Sequence, residues 1–143
     1  MTYSKSGLAL TEQFEGCRLV AYLDQTGRPT IGYGHTAGVQ LGDTCTEAQA
    51  DTWLAQDIAW AANEVNRVVK VTLTQPEFDA LTDWIFNVGI GNAQSSTLLN
   101  LLNQGQFILA AAEFDKWDHA GGQVVAGLLR RRQAETNEFE SGE

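Results

Sequence analysis

Leu54, Ile58, Ala61, Val65 and Val68 recur at steps of 4, 3, 4 and 3. That is the apolar stripe of a helix that must press one face onto a core. Thr46-Glu47-Ala48-Gln49 stands at its start in the form of a capping box, where the N-cap hydroxyl and the N3 side chain satisfy amides the helix leaves free. The pattern predicts one long helix over about 46–69. A second capping-box start, Thr74-Gln75-Pro76-Glu77, precedes Phe78, Leu81, Ile85 and Val88, which give the next helix its buried face. Gly89 and Gly91 are expected to end it. Further helices are expected at about 96–103, 107–117 and 127–139, with the loop Ala120-Gly121-Gly122 before the last.

Upstream the pattern differs. Residues 4–15 read as a short helix, with Leu10 and Phe14 at helical spacing. Residues 18–35 carry Tyr22, Thr30, Ile31 and Tyr33, and Thr26-Gly27 with a proline separates two short runs. That is the pattern of a β-hairpin or small meander. The expected class is α+β in a single domain over 1–143. A small sheet-bearing N-terminal part (about 13–50) is joined by the 46–69 helix to a helical C-terminal part (about 70–143), which the N-terminal helix joins. A cleft between two such parts suits a polymer substrate.

Composition narrows the function. With 143 residues and 43% hydrophobic residues, disorder is excluded. No apolar run approaches the roughly 18 residues of a membrane span, so no membrane insertion is expected. Met1 to Ser6 lacks the basic start and apolar stretch of a secretion signal, which implies synthesis in the cytoplasm. The net charge of −9 argues against nucleic acid as a partner. The one basic cluster, Arg130-Arg131-Arg132, reads as a surface feature. Cys17 and Cys45 have no CxxC spacing and form no metal pattern with His35 and His119; free thiols are expected, with a disulfide left open.

Glu15 ends an apolar helical face where the chain turns at Gly16. Partial desolvation there favours a protonated carboxylic acid. A protonated acid beside an ionised carboxylate is the pair that glycosidic cleavage needs. Asp24 ends the first expected strand and Thr30 lies on the return strand. A three-residue loop, Thr26-Gly27-Arg28, would set Asp24 directly across from Thr30, with room for a shared water. A two-residue loop would put them on opposite faces. Taken alone, a Glu and an Asp nine residues apart in an acidic chain are ordinary surface groups.

The whole string is more specific. Glu15-Gly16, Tyr22, Asp24, Gly27 and Thr30-Ile31-Gly32-Tyr33-Gly34-His35 closely resemble the active-site segment of the phage-type lysozymes (endolysins), glycoside hydrolase family 24, which includes the lysozymes of the T-even bacteriophages. Phe86-Asn87-Val88-Gly89, Ser96-Thr97-Leu98-Leu99, Ala112-Glu113-Phe114 through Trp117, Gly121-Gly122 and Gly127-Leu128 with Arg131-Arg132 and Ala134-Glu135 are similar to the family's later motifs, in order. The resemblance covers about residues 7–139. It implies a lysozyme-like fold and hydrolysis of the β-1,4 bond between N-acetylmuramic acid and N-acetylglucosamine in peptidoglycan strands. It assigns Glu15 as general acid, with Asp24 and Thr30 positioning or activating the nucleophile, expected to be water with inversion. Phe86 and Thr97 match positions near the sugar cleft. His35 would buttress the site, and a C-terminal arginine, Arg131, would pair with Glu15 or support the hinge. No cofactor or metal is implied.

The resemblance further implies a monomer that accumulates in the host cytoplasm and reaches the wall through a separate membrane pore, a holin; a virion-carried role stays open. A lytic transglycosylase, a non-catalytic wall-binding module and a chitinase-like preference stay open as alternatives. One departure stands out. Many relatives are basic, as suits an anionic wall, whereas this chain is acidic. That implies weaker, more salt-tolerant binding, or attraction focused at Arg130–Arg132.

Overall fold

A computed structural model describes residues 1–120 and 122–142. Helix α4 (Gln75–Val88) is its centre. The predicted capping box forms: Thr74 Oγ1 accepts the Glu77 N–H at 3.3 Å, and Glu77 Oε1 accepts the Thr74 N–H at 2.8 Å. The periodicity gives α4 one buried face, yet every residue from Glu77 to Ile85 is buried. Helices α1 (Lys5–Glu15), α3 (Ala59–Val68) and α8 (Ala126–Ser141) pack around it. Trp84 is fully buried, edge-on to Phe114 at 5.9 Å and to Trp117 at 5.8 Å, and Phe114 in turn meets Phe139 at 5.6 Å. Aromatic quadrupoles favour such edge-to-face contacts over parallel sandwiches.

The acids buried on α4 are all partnered, and two of them hold α1 in place. Asp79 Oδ1 accepts the Ser4 N–H at 3.2 Å, and Asp79 Oδ2 accepts the Ser4 hydroxyl. Ser4 is itself the N-cap of α1, accepting the Gly7 N–H at 3.0 Å. One turn further along α4, Asp83 Oδ1 accepts the Thr11 hydroxyl at 2.7 Å. Residues four apart on a helix share a face, so α4 grips α1 at two points.

The sheet is small. Strand β1 (Arg18–Leu23) pairs antiparallel with β2 (Pro29–Gly32), and the segment near Thr44 adds an isolated bridge to Val20. This hairpin and the helical body give the expected α+β class.

Four expectations need correction. The predicted 46–69 helix is two, α2 (Glu47–Asp57) and α3, broken at Ile58, whose ψ of −9° departs from the regular helix. The apolar stripe survives the break, with Leu54, Ile58, Ala61, Val65 and Val68 all buried, because a one-residue change of geometry barely shifts the periodicity. Gly89 ends α4 with φ 88°, but Gly91 lies inside a further helix, α5 (Ile90–Gln94). After α6 (Thr97–Asn103), the predicted 107–117 helix splits into α7 (Phe107–Ala111) and a 3-10 turn (Phe114–Trp117). Ala111, Phe114 and Trp117 are three apart, a spacing that a 3-10 turn stacks on one side. The expected loop at 120–122 is flanked by a short ladder of β3 (His119–Ala120) with β4 (Gln123–Val124); Gly121 lies outside the described residues.

The fourth correction concerns the basic cluster. Arg131 and Arg132 are buried, so only Arg130 is a surface group. Arg131 forks onto Asp83, Nε to Oδ2 at 2.9 Å and Nη2 to Oδ1 at 2.8 Å. Arg132 Nη2 donates to Glu135 Oε2 at 2.9 Å. Cys17 and Cys45 are free thiols. Among the described residues no helix is long and apolar enough to cross a membrane.

Burial pushes the Asp83 carboxyl up, but hydrogen bonds from Glu135, Arg131 and Thr11 and the Arg131 charge outweigh it and hold it at about 2. Burial, then the hydrogen bond to Asp83 and its charge, push Glu135 well above the usual carboxylate range, against the pull of the Arg132 and Arg131 charges. Removing one member of a buried pair strands the other charge, so Asp83→Ala is expected to cost about 3–5 kcal/mol in urea denaturation. The folded Asp83 titrates below its unfolded value. Its contribution is therefore full above about pH 4 and is lost as pH falls toward about 2, a change of about 2 kcal/mol. The stability gap between the native chain and Asp83→Asn should narrow over that window; a gap independent of pH would contradict the pairing.

Candidate active site

Glu15 is the last residue of α1. Its side chain retains 25% of its exposure, so it faces an opening, unlike its buried partner Arg131. Arg131 Nη1 donates to Glu15 Oε1 at 2.8 Å. The guanidinium that grips Asp83 in the core thus also fixes one oxygen of Glu15, and a rigid fork of donors suits a bridge between two carboxylates.

Asp24 comes from the hairpin. Tyr22 pairs with Thr30 and Leu23 with Pro29. The Asp24 N–H donates to the Arg28 carbonyl at 3.0 Å, and the Gly27 N–H donates to the Asp24 carbonyl at 3.0 Å. The loop is therefore Gln25-Thr26-Gly27, with Gly27 at φ 81° in the left-handed region, the three-residue hairpin loop that ends on such a residue. Direct opposition of Asp24 and Thr30 does not form, because Arg28 pairs with Asp24 rather than lying in the loop. The two are diagonal on one face, since Asp24 lies two residues beyond Tyr22, the partner of Thr30.

The turn organises the Asp24 carboxylate. Its Oδ1 accepts the Thr26 N–H at 2.8 Å, the Thr26 hydroxyl at 2.7 Å and the Arg28 N–H at 2.9 Å. The Arg28 amide first, then the Thr26 hydroxyl, hold this carboxyl below its ordinary value. Oδ2 takes no hydrogen bond among the described residues. Thr30 is buried, and its hydroxyl donates to the Arg28 carbonyl at 2.9 Å, which leaves its lone pairs as acceptors.

Beyond Thr30 the chain doubles back. Ile31 and His35 exchange two backbone hydrogen bonds of 2.9 Å, so Gly32-Tyr33-Gly34 is a tight turn. Gly34 has φ 84°, and a Cβ there would stand 3.9 Å from Glu15 Oε2. The turn thus presents bare backbone to the acid. His35 is nearly buried. It stacks on Trp53 with ring centroids 4.5 Å apart, and its Nδ1 lies 2.8 Å from Asp57 Oδ2. Both partners belong to α2, so the residue after Gly34 is clamped to the helix beneath.

Phe86 and Thr97 lie on the helical body. Phe86, half-buried near the end of α4, meets Trp60 with centroids 6.2 Å apart. Thr97 is exposed at the start of α6, in a shallow cavity with Trp117 and Lys116. No hydrogen bond ties either to Glu15, Asp24 or Thr30 among the described residues. Sequence reasoning missed Asp83, Thr11, Asp57 and Trp53. Asp83 carried one signal, an acid within the apolar run Ala80-Leu81-Thr82-Asp83-Trp84-Ile85; the others carried none.

Known proteins resemble this chain over nearly its whole length. The phage lysozyme family profile matches residues 12–135. The chain is 44% identical over 145 residues to an endolysin of Acyrthosiphon pisum secondary endosymbiont phage 1, covering 99% of both. It is 42% identical to the endolysin of Bacillus phage PZA but spans only 56% of that protein. Among solved structures, a point mutant of P22 lysozyme aligns with a TM-score of 0.92 at 36% identity, covering 98% of this chain and 99% of that one. The muramidase domain of SpmX from Asticaccaulis excentricus aligns with a TM-score of 0.90 at 38% identity, covering 96% and 97%. With this lysozyme-like fold, the chain belongs to the phage lysozyme family and is a glycoside hydrolase, a peptidoglycan-lysing endolysin.

Proposed function

We propose that Glu15 is the proton donor and that Asp24, with Thr30, positions and activates the attacking water in hydrolysis of the bond between N-acetylmuramic acid and N-acetylglucosamine. One observation carries the reading: each carboxyl has one oxygen tied and the other open. Glu15 Oε1 is held by Arg131, and Oε2 faces the bare backbone at Gly34. Asp24 Oδ1 accepts three hydrogen bonds, and Oδ2 is open. The Glu15 proton passes from Oε2 to the glycosidic oxygen as its bond to the anomeric carbon breaks. A water held between Asp24 Oδ2 and the lone pairs of Thr30 Oγ1 attacks that carbon from the opposite side and gives its proton to Asp24, with inversion. Phe86 and Thr97 line the sugar path on the helical side, so the strand lies between the hairpin and the helical body. His35 supports the Gly34 turn from α2. The enzyme acts as a monomer. It accumulates in the host cytoplasm and is released through a holin.

Three variants test this with purified peptidoglycan and permeabilised Gram-negative cells. Glu15→Gln keeps one acceptor for Arg131 and should lose about 10²–10⁴ in rate while its near-ultraviolet dichroism is unchanged; full activity would refute the assignment. Asp24→Asn should be similarly severe. Gly34→Ala puts a side chain at positive φ, costing about 1–2 kcal/mol, and sets a methyl group in van der Waals contact with Oε2, where the glycosidic oxygen has to approach. It should lower kcat more than a control variant of equal stability loss. Product masses should show water added at each cut, and 1,6-anhydro ends would mean a transglycosylase.

A further inference from the structure

Of the four tryptophans only Trp60 is exposed, at 41% of its surface, whereas Trp84 is fully buried in the core. Trp53, Asp57 and Trp60 follow one another at steps of 4 and 3, so they share one face of the α2–α3 rod. Trp53 and Asp57 use that face to hold His35 of the hairpin side. Trp60, one turn on, has passed the hairpin and meets Phe86 of α4 instead, with ring centroids 6.2 Å apart. It stands where the hairpin side of the molecule gives way to the helical body.

The contacts between helices put this aromatic pair level with Glu15. Ser4, the N-cap of α1, meets Asp79, and Thr11 meets Asp83, so α1 and α4 run side by side in the same direction. Glu15 comes four residues after Thr11 and Phe86 three after Asp83, each about one helical turn, or roughly 5 Å, further on. Arg131 ties the two helices together at that height through Asp83 and Glu15. The Gly34 turn that faces Glu15 precedes His35, which rests on the same α2–α3 face as Trp60. Acid, turn and indole therefore border one region.

The two rings are tilted by 42°, so Phe86 braces the indole without covering it. An aromatic face carries negative charge density and attracts positively polarised hydrogens. A β-1,4-linked N-acetylhexosamine with equatorial substituents offers such ring C–H groups on both faces. A contact of this kind needs no cation, which suits a chain of net charge −9 whose Arg131 and Arg132 turn inward. We propose that Trp60, braced by Phe86, is a stacking platform for an N-acetylhexosamine ring of the glycan strand close to the bond at Glu15. It is a binding contact that sets where the strand lies and takes no part in proton transfer. The inference rests on the muramidase reading.

The test uses glycan strands stripped of their peptides. Trp60→Ala should raise KM about tenfold with kcat little changed. Trp60→Phe should recover most of that loss, whereas Trp60→Leu, apolar but without a ring, should not. Urea denaturation of each variant checks that the fold is kept, and if Trp60→Ala does not fold the Phe and Leu variants decide between them. Equal KM for Phe and Leu, or a KM unchanged in every variant, overturns the proposal. In parallel, the same strands are titrated into Glu15→Gln, where they should stay intact, and tryptophan fluorescence is followed. A saturable change that is largely lost when Trp60→Phe is added supports the platform; an undiminished change overturns it. Trp60-dependent binding by a native protein that releases no water-added ends would sink the muramidase reading and leave the platform standing. Water-added ends produced at a KM indifferent to Trp60 would do the reverse.

Discussion

The Arg131 guanidinium is the joint on which the site depends. A buried cation is tolerable only when its donors are used, and here two go to Asp83 and one to Glu15. Asp83 is fixed by the core around α4, Arg131 arrives on α8, and Glu15 ends α1. Three helices meet at one planar group. The position of Glu15 is therefore set by a residue 116 positions away in the chain, and a shift of α8 would be felt at its carboxyl.

The hairpin solves a different problem. It has little core of its own, so its geometry comes from local hydrogen bonds: the Asp24 carboxylate closes its own turn through Thr26 and Arg28. The same bonds that fix the loop keep the carboxylate charged. The clamp of His35 between Trp53 and Asp57 then ties the hairpin to α2. One carboxyl is thus held by the helical core and the other by a self-contained turn, and the Gly34 turn carries the hairpin chain back to the acid.

What the sequence showed and what it hid follow from the range of the interactions. Caps are local, so Thr46, Thr74 and the hydroxyl of Ser96 sit where the pattern put helix starts. Hydrophobic stripes are local too, though they average over breaks, which is why the interruption at Ile58 left no trace. The loop register was beyond reach: Thr26-Gly27 suits more than one loop, and only the pairing of Arg28 with Asp24 decides. The partners of Glu15 lie far off in sequence. Three adjacent arginines look alike as letters, and nothing local says that two turn inward. Glu15, Asp24 and Thr30 stand out as a candidate set only through the motif string, not from their spacing.

The inward turn of Arg131 and Arg132 also changes what the net charge means. Two of the nine cations serve internal carboxyl groups, so they are out of reach of an anionic polymer. A strand far from the protein meets an acidic exterior. Close in, only neighbouring charges count, because at physiological salt charges are screened beyond about 8 Å. Local arrangement, rather than the total of −9, decides where an anionic substrate can rest.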